Sequence, residues 1–389
     1  MISAFLIMNI FVSIFFACPI IAKEEASAPS ATAAQPSIEL TSKGATLIEA
    51  STGKVLFAKN ADERMPIASV TKVMTMLLIM EAMDNNTFTL DTQISVSKEA
   101  AEMGGSQVYL EPGEIMSAHD MLKAIAVASG NDAAYAMAEY ISGSEADFVS
   151  LMNARAKELG MKNTQFINCN GLDEDGKEGY SSAGDVAIMS RELLKHSKIL
   201  EYTKIWMDSL RGGEFQLANT NKLIHSYSGA TGLKTGSTTK AKYCLSASAV
   251  KDDMNLIAVV LGAETSDDRF DEAKKLLDYG FAGYTLVVPS IQNASVKVTK
   301  GEIEQLSLNA EGNGAAVIPK NQKNNIEEVI SIPNKVKAPI KAGDLVGKID
   351  YKSGDKIVAS SDLTASKDVE KINFWQMIGK MIKRLVEFG

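Results

Sequence analysis

Strand-like alternation marks both ends of the first long segment of this chain, and a mainly helical stretch separates them. Gly44 to Glu49 and Lys54 to Ala58 alternate around a Ser51-Thr52-Gly53 turn. Tyr243 to Val250 and Asn255 to Leu261 do the same around Lys251-Asp252-Asp253-Met254, which reads as a hairpin. Early and late strands with helices between them predict one sheet assembled from both ends of a domain, carrying a helical insertion. Such a sheet would draw Ser69, the loop at Ser129 and the late strands around one cleft. At 389 residues and 46% hydrophobic composition, the chain has material for that domain and for at least one more.

The helical part has clear punctuation. Val70 to Met83 is mostly apolar and reads as a buried helix just after Ser69. Ser117 with Asp120 opens a helix to about Ala128, which stops at Ser129-Gly130-Asn131, and a new helix runs from Asp132 to Ile141. A further helix, from about Ala146 to Leu159, closes at Gly160. Asn168 to Gly179 is a polar loop, and Ser182 with Asp185 caps a helix ending near Lys195. Asp268 to Tyr279 is predicted helical and ended by Gly280.

The flanks differ in character. Met1 to Ala22 lacks Asp, Glu, Lys and Arg and is almost wholly apolar, as expected of a secretion signal, or else of an uncleaved anchor. Phe15-Phe16-Ala17-Cys18 hints at a lipidation site but lacks the aliphatic residue three before the cysteine. Lys23 to Ser37, rich in Ala, Ser, Pro and Glu, has a linker composition. From about Pro289 to Ala365, short alternating segments predict a small all-β module: Ser295 to Val298, Gly314 to Ile318, Val329 to Ile332, Val346 to Tyr351 and Lys356 to Ser360. In Lys371 to Gly389, Phe374, Met377, Ile378, Met381, Ile382, Leu385 and Phe388 share one helical face, while Lys380, Lys383 and Arg384 lie largely on the other. That pattern describes a helix lying in a membrane interface, or one docked on the protein's own core.

Composition excludes several functions. A net charge of −8 argues against general nucleic-acid binding. His119, His196 and His225 stand far apart, and the three cysteines form no C-x-x-C pair, so no metal or redox site is expected. With a signal removed, Cys169 and Cys244 remain, as two buried thiols or as one disulfide.

Three short motifs carry chemistry. Ser69 and Lys72 fall on one helix face a turn apart, so a hydroxyl and an amine can exchange a proton. A helix N-terminus disfavours the ammonium form and favours negative charge nearby. Alone, S-x-x-K equally describes an N-cap followed by a solvated lysine. Ser129-Gly130-Asn131 sits at a break between helices, where a hydroxyl can pass a proton and an amide can hold a substrate carbonyl. Lys234-Thr235-Gly236 precedes the late hairpin. There Gly236 would admit a substrate backbone to a strand edge, Thr235 would bind a carboxylate, and Lys234 would lower the pKa of Lys72 further.

In this order the three motifs resemble those of penicillin-binding proteins and class A β-lactamases. The chain is identified as similar to the serine-type D-alanyl-D-alanine carboxypeptidases over nearly everything after the linker. The similarity includes Phe166 to Leu172, Gly229 to Gly280 and Lys337 to Tyr351. It implies an α/β transpeptidase-like domain, an antiparallel sheet flanked by helices with a helical subdomain, then the small all-β domain and the amphipathic helix. The implied divisions are a signal peptide at 1–22, a linker at 23–37, the DD-peptidase at 38–288, the β domain at 289–366 and the anchor helix at 367–389.

The resemblance also implies residue roles. Ser69 would attack a D-Ala-D-Ala bond of a peptidoglycan stem peptide, with Lys72 as base. The N–H groups of Ser69 and Ser237 would form the oxyanion hole. Ser129 and Lys234 would shuttle the proton, Asn131 and Gly236 would contact substrate, and Thr235 and Arg269 would hold the terminal carboxylate. From its residues alone, Arg269 reads equally as a helix-start arginine paired with Asp268 or Glu272. β-Lactams would acylate Ser69, and no cofactor or metal is implied. The expected location is the outer face of the cytoplasmic membrane, held peripherally by the tail.

A class A β-lactamase would add an E-x-x-x-N segment to activate the deacylating water. Glu174, Glu178 and Glu192 are followed four residues later by Glu178, Ser182 and His196, so that pattern is missing. A non-catalytic wall-binding or β-lactam-sensing protein on the same fold would have no need of the Ser69–Lys72 pair. Endopeptidase and transpeptidase variants share the acyl-enzyme and differ only in bond or acceptor.

Overall fold

The computed structural model describes residues 38–177, 179–289, 294–311 and 314–379. The predicted signal segment, the linker and residues 380–389 of the predicted tail helix lie outside them. A five-stranded antiparallel sheet organises the first part. Its strands are β1 (Gly44–Glu49), β2 (Val55–Lys59), β3 (Ala230–Thr238), β4 (Lys242–Lys251) and β5 (Met254–Ala263), in the order β2-β1-β5-β4-β3. The two ends of the domain therefore meet as expected, with Ala45 opposite Val260 and Leu47 opposite Ala258. The β4–β5 connection is a tight turn with Asp252 and Asp253 at φ 49° and 60°, the doubly positive geometry that matches strand twist in two-residue hairpins.

Both faces of the sheet are covered, which is why β1 and β5 are nearly continuous apolar runs. Ile257, Val259 and Leu261 belong to a core shared with α1 (Lys72–Asp84), and α2 (Ala183–Leu193) packs on the same two strands. Leu256 and Leu47 meet α3 (Ser266–Gly283) on the other face. This is the period-two alternation of a strand, split between two helical layers. Here the structure corrects one expectation. Gly280 does not end α3, which continues to Gly283; a Cβ at Gly280 would stand 2.4 Å from Leu256 Cδ1. The glycine is kept for close helix–sheet packing.

Helix α1 needs no amphipathic stripe, because Lys72 through Met80 are all buried. No side chain caps it. Burial holds it instead, at roughly 1.5–3 kcal/mol for each large apolar side chain. A 3-10 turn, Ala68–Thr71, leads into it with Ala68 at φ 48°. Both predicted caps are present: Ser117 and Ser182 accept hydrogen bonds from the N–H groups of Asp120 and Asp185, and Thr265, which the sequence pattern did not single out, accepts one from Asp268. The helix after Ser117 loosens into a π-helical turn, Ala124–Ala128, and breaks at Ser129 with φ 62° and ψ 30°.

The second part is all β as predicted. Its six-stranded sheet runs in the order Ile326–Ser331, Leu345–Ser353, Lys356–Ala365, Gln305–Glu311, Ser295–Thr299, Val336–Lys337. Gln305–Glu311 is a strand that the sequence pattern did not single out. Val296, Leu306, Ile349 and Leu363 lie at its apolar centre. The strand Tyr284–Val287 pairs with Ala316–Pro319, and Lys54 donates to the Val317 carbonyl at 2.8 Å, so the two parts are stitched together. Residues 374–379 are helical. Cys169 and Cys244 are both free and buried.

Candidate active site

The 3-10 turn presents Ser69, half-buried, at the head of α1. Lys72, with no exposed surface, donates from Nζ to Ser69 Oγ at 3.1 Å, to Asn131 Oδ1 at 2.5 Å and to the Asn170 carbonyl at 2.7 Å. All three acceptors are neutral. Burial pushes the ammonium pKa down to about 7, against a smaller upward pull from Cys169 and Asp132. The sequence pattern pointed to the helix field and Lys234 as the cause; desolvation is the larger one. A hydroxyl hydrogen-bonded to an amine that is half neutral near pH 7 can be deprotonated as it attacks.

The second motif arrives at the helix break. Ser129 is buried there, in the left-handed region. Asn131 begins the next helix, Asn131–Ser142, and its backbone N–H bonds to the Ser106 carbonyl at 2.7 Å. Its side chain is held at both ends. The amide oxygen is taken by Lys72, and Nδ2 donates to the Gly104 carbonyl at 2.7 Å. Asn131 first of all holds Lys72, leaving one amide hydrogen for substrate.

The third motif lies on β3, the edge strand beside the turn. Lys234 is buried and donates to the Thr235 carbonyl at 2.9 Å. Burial, then Lys72 and Arg269, hold its pKa well below the usual lysine range. Thr235 Oγ1 donates to Thr220 Oγ1 at 2.7 Å. A Cβ at Gly236 would stand 2.7 Å from the Ile67 carbonyl oxygen and 2.9 Å from the Ser69 nitrogen. The glycine thus lets β3 press against the Ser69 turn. Ser237, the next residue, is exposed on the same strand.

Arg269, on α3, reaches the same point, with Nη1 donating to the Gly236 carbonyl at 3.1 Å. Neither acidic partner considered from the sequence holds it. Asp268 completes a capping box with Thr265, and Glu272 accepts from the Thr41 and Ser42 N–H groups. Arg269 Nε is buried without a hydrogen bond among the described residues. The geometry therefore gathers Ser69, Lys72 and Asn131 by direct bonds, and Gly236 and Arg269 through β3. Among the described residues Ser129 and Lys234 are not bonded to each other.

Sequence patterns missed the backbone participants. Gly104, Ser106 and Asn170 act through carbonyls, which no residue type announces. Gly171 carried a signal in the Gly-rich loop. At φ 84°, its Cβ would fall 1.9 Å from the Ala68 carbonyl oxygen, so it closes the loop onto the nucleophile turn.

Residues 29–265 match the family described as D-alanyl-D-alanine carboxypeptidase, and residues 284–371 match the penicillin-binding protein 5 C-terminal domain. The D-alanyl-D-alanine carboxypeptidase DacF of Bacillus subtilis is 46% identical over 85% of this chain and 87% of its own. Penicillin-binding protein 5 of Haemophilus influenzae superposes with a TM-score of 0.71 at 29% identity, over 86% of this chain and 99% of that one. Penicillin-binding protein D2 of Listeria monocytogenes, solved in its ampicillin-bound form, gives 0.58 at 35% identity, over 63% of this chain and 100% of that one.

Proposed function

Because the chain belongs to the D-alanyl-D-alanine carboxypeptidase family, we propose that Ser69 is its nucleophile and Lys72 the base that activates it. The enzyme is a serine-type D-alanyl-D-alanine carboxypeptidase, a hydrolase. One observation carries the assignment: Lys72 is fully buried, bonded among the described residues only to neutral oxygens, and 3.1 Å from Ser69 Oγ.

The reaction follows from these groups. Neutral Lys72 takes the Ser69 proton as Oγ attacks the carbonyl carbon between the two D-alanines of a stem peptide. The N–H groups of Ser69 and Ser237 stabilise the oxyanion. That role is supported by the approach of β3 to the Ser69 nitrogen at Gly236. The C–N bond breaks as a proton reaches the departing D-alanine nitrogen by way of Ser129 and Lys234, leaving an ester on Ser69. Water then hydrolyses the ester. Thr235 and Arg269 hold the terminal carboxylate, a role favoured by an arginine that forms no direct ion pair among the described residues and has an unmet Nε. A β-lactam presents a strained amide to the same serine, a reading supported by similarity to a Listeria penicillin-binding protein solved in its ampicillin-bound form.

D-Alanine release from a peptide ending in D-Ala-D-Ala tests this, together with mass spectrometry of a penicillin adduct. Release is expected to vanish in Ser69→Ala and the adduct to map to Ser69. Acylation without release would mark a sensor, and an adduct elsewhere would overturn the assignment.

We further propose export and peripheral attachment to the outer face of the cytoplasmic membrane. The apolar segment 1–22 and the exposure of Phe374, Trp375 and Met377 support this. No helix among the described residues is long and apolar enough to cross a membrane. Deleting Lys371 to Gly389 is expected to release the signal-cleaved protein from membranes while D-alanine release continues. Truncated protein that still sediments with membranes would refute the anchor.

A further inference from the structure

The two asparagines that hold Lys72 both lean on one loop, which the chemistry above leaves unused. Gly104 accepts from Asn131 Nδ2, Ser106 from the Asn131 N–H, and Met103 Sδ from Asn170 Nδ2 at 3.7 Å. Three residues beyond Ser106, Tyr109 stands at φ 55°. A bulky side chain keeps that conformation only where its surroundings enforce it.

Two charged groups enforce it, one through the donors of the loop and one through its acceptors. Asp132, second residue of the helix Asn131–Ser142, is fully buried. Its Oδ2 accepts from the Val108 and Leu110 N–H groups at 3.0 and 3.1 Å, and its Oδ1 from Ala133 at 2.9 Å. Arg211 lies at the turn between strands Met207–Leu210 and Phe215–Ala218. It donates to the Val108 and Tyr109 carbonyls at 3.0 Å each and pairs with Glu114 at 2.9 Å. Glu114 and, more weakly, Asp132 favour the Arg211 cation. Asp132 itself forms no direct ion pair among the described residues, and a buried carboxylate so placed is costly to maintain. A neutral oxygen would serve two backbone N–H groups as well. What the charge adds is negative potential next to Asn131 and Lys72.

We propose that Asp132 is a positioning residue for the reaction: with Arg211 across the loop it fixes Asn131 against Lys72, and it sets a negative charge near the pair. The inference rests on Lys72 being the base. The titratable groups that act on Lys72 among the described residues are Cys169 from the Gly-rich loop, Lys234 from β3 and Asp132. Burial, then Glu145, keeps Cys169 a neutral thiol. Asp132 is therefore the carboxylate that favours the Lys72 ammonium, and its loss lowers the Lys72 pKa.

The test follows penicillin acylation of the full chain against pH, as a rate constant per acylable site, which partial loss of folded enzyme does not lower. Asp132→Asn keeps the shape, removes the charge and turns an amide donor toward N–H donors. Its rate constant above pH 8 is expected to fall about 10–100-fold, as for a misplacement of about 1 Å. Its acid limb is expected to move below the wild-type position near 7. Arg211→Gln, at a half-buried position, loosens the loop from the other side and keeps Asp132. It is expected to slow acylation about three- to tenfold, as for a lost charge-assisted bond, without lowering the acid limb. A wild-type rate in either variant, or an unmoved limb in Asp132→Asn, would overturn the proposal. If Asp132→Asn yields no folded protein, the rate of Arg211→Gln decides alone. A wild-type profile that lacks an acid limb near 7 would instead overturn Lys72 as the base, and this proposal with it.

Discussion

Two cations grip α1, one at each end, and the protein treats them in opposite ways. Lys72, the first residue of the helix, is buried against three neutral oxygens. Arg155, from the neighbouring helix Glu145–Glu158, reaches Glu81 near the far end at 2.8 Å, and also Glu192 and Glu158, each at 3.1 Å. Burial works against the Arg155 charge, but Glu81, Glu158 and Glu192 outweigh it and raise its pKa. For Lys72 burial wins and the pKa falls to about 7. Both groups are hydrogen-bonded, so bonding alone does not separate them. The difference lies in the charge of the acceptors. Carboxylates fix a cation as a structural tie, whereas carbonyls and an amide leave it ready to give up its proton.

The largest effect that tests this contrast is expected for Lys72→Gln. Loss of a general base costs roughly 10²–10⁴-fold, so penicillin acylation should slow by about 10³-fold. In the wild type, acylation should rise with pH through an acid limb centred near 7, where Lys72 becomes neutral. The stability change should run the other way. Lys72 titrates at about 7 when folded and near 10.5 when unfolded. Between those values the unfolded chain binds more protons, so stability rises with pH across that window, and the buried cation costs most below it. Lys72→Gln should therefore match or exceed the wild-type Tm below pH 7, with its advantage shrinking toward pH 10. A Tm that falls at low pH would break the comparison.

The next effects concern how the Ser69 turn is held. Gly171 and Gly236 press on it from two elements, and an added methyl would meet backbone in both cases, the Ala68 oxygen and the Ile67 oxygen. Gly171→Ala and Gly236→Ala should each cost about 2–4 kcal/mol through steric strain and slow acylation about tenfold or more. Gly280→Ala meets the tips of Leu256 and Leu47 instead. It should cost about 1–3 kcal/mol by overpacking, with acylation within about twofold of wild type. Thermal melts and acylation rates on the three variants separate the two kinds of glycine. Equal slowing in all three would mean that the turn is not specially braced.

These glycines also show where sequence patterns stop. The β4–β5 hairpin was legible because two aspartates between alternating runs leave few other structures. The caps at Ser117 and Ser182 were legible because a local hydrogen bond has a local signature. Gly280 was misread because a packing glycine and a helix-ending one look alike without the neighbouring strand. Strand β3, Ala-Thr-Gly-Leu-Lys-Thr-Gly-Ser-Thr, shows no clean alternation. Its buried lysine and its glycines answer to the cleft and the Ser69 turn, not to a half-exposed sheet face. Ser69, Lys72, Asn131 and Lys234 could be singled out by chemistry and order. That Asn131 would hold Lys72, and that burial would set the Lys72 pKa, depended on distances that only the folded chain supplies.

The smallest expected effect completes the comparison from its other side. Arg155 and Glu81 side chains are each 23% exposed, so their attraction is only partly screened. Arg155→Gln removes three ion pairs and leaves Glu81 and Glu192 without their shared cation. A loss of about 1–2 kcal/mol follows, between the values for exposed and buried pairs. Acylation by penicillin should stay within about twofold of wild type at pH 7, since α1 keeps its buried apolar contacts along most of its length. The loss should shrink in Glu81→Gln/Arg155→Gln relative to the sum of the single changes, because the two groups act as one unit. Urea melts on the four proteins of this cycle measure the coupling. If Arg155→Gln slowed acylation as Lys72→Gln does, the far end of α1 would belong to the catalytic apparatus, and the division between structural and reactive cations would fail.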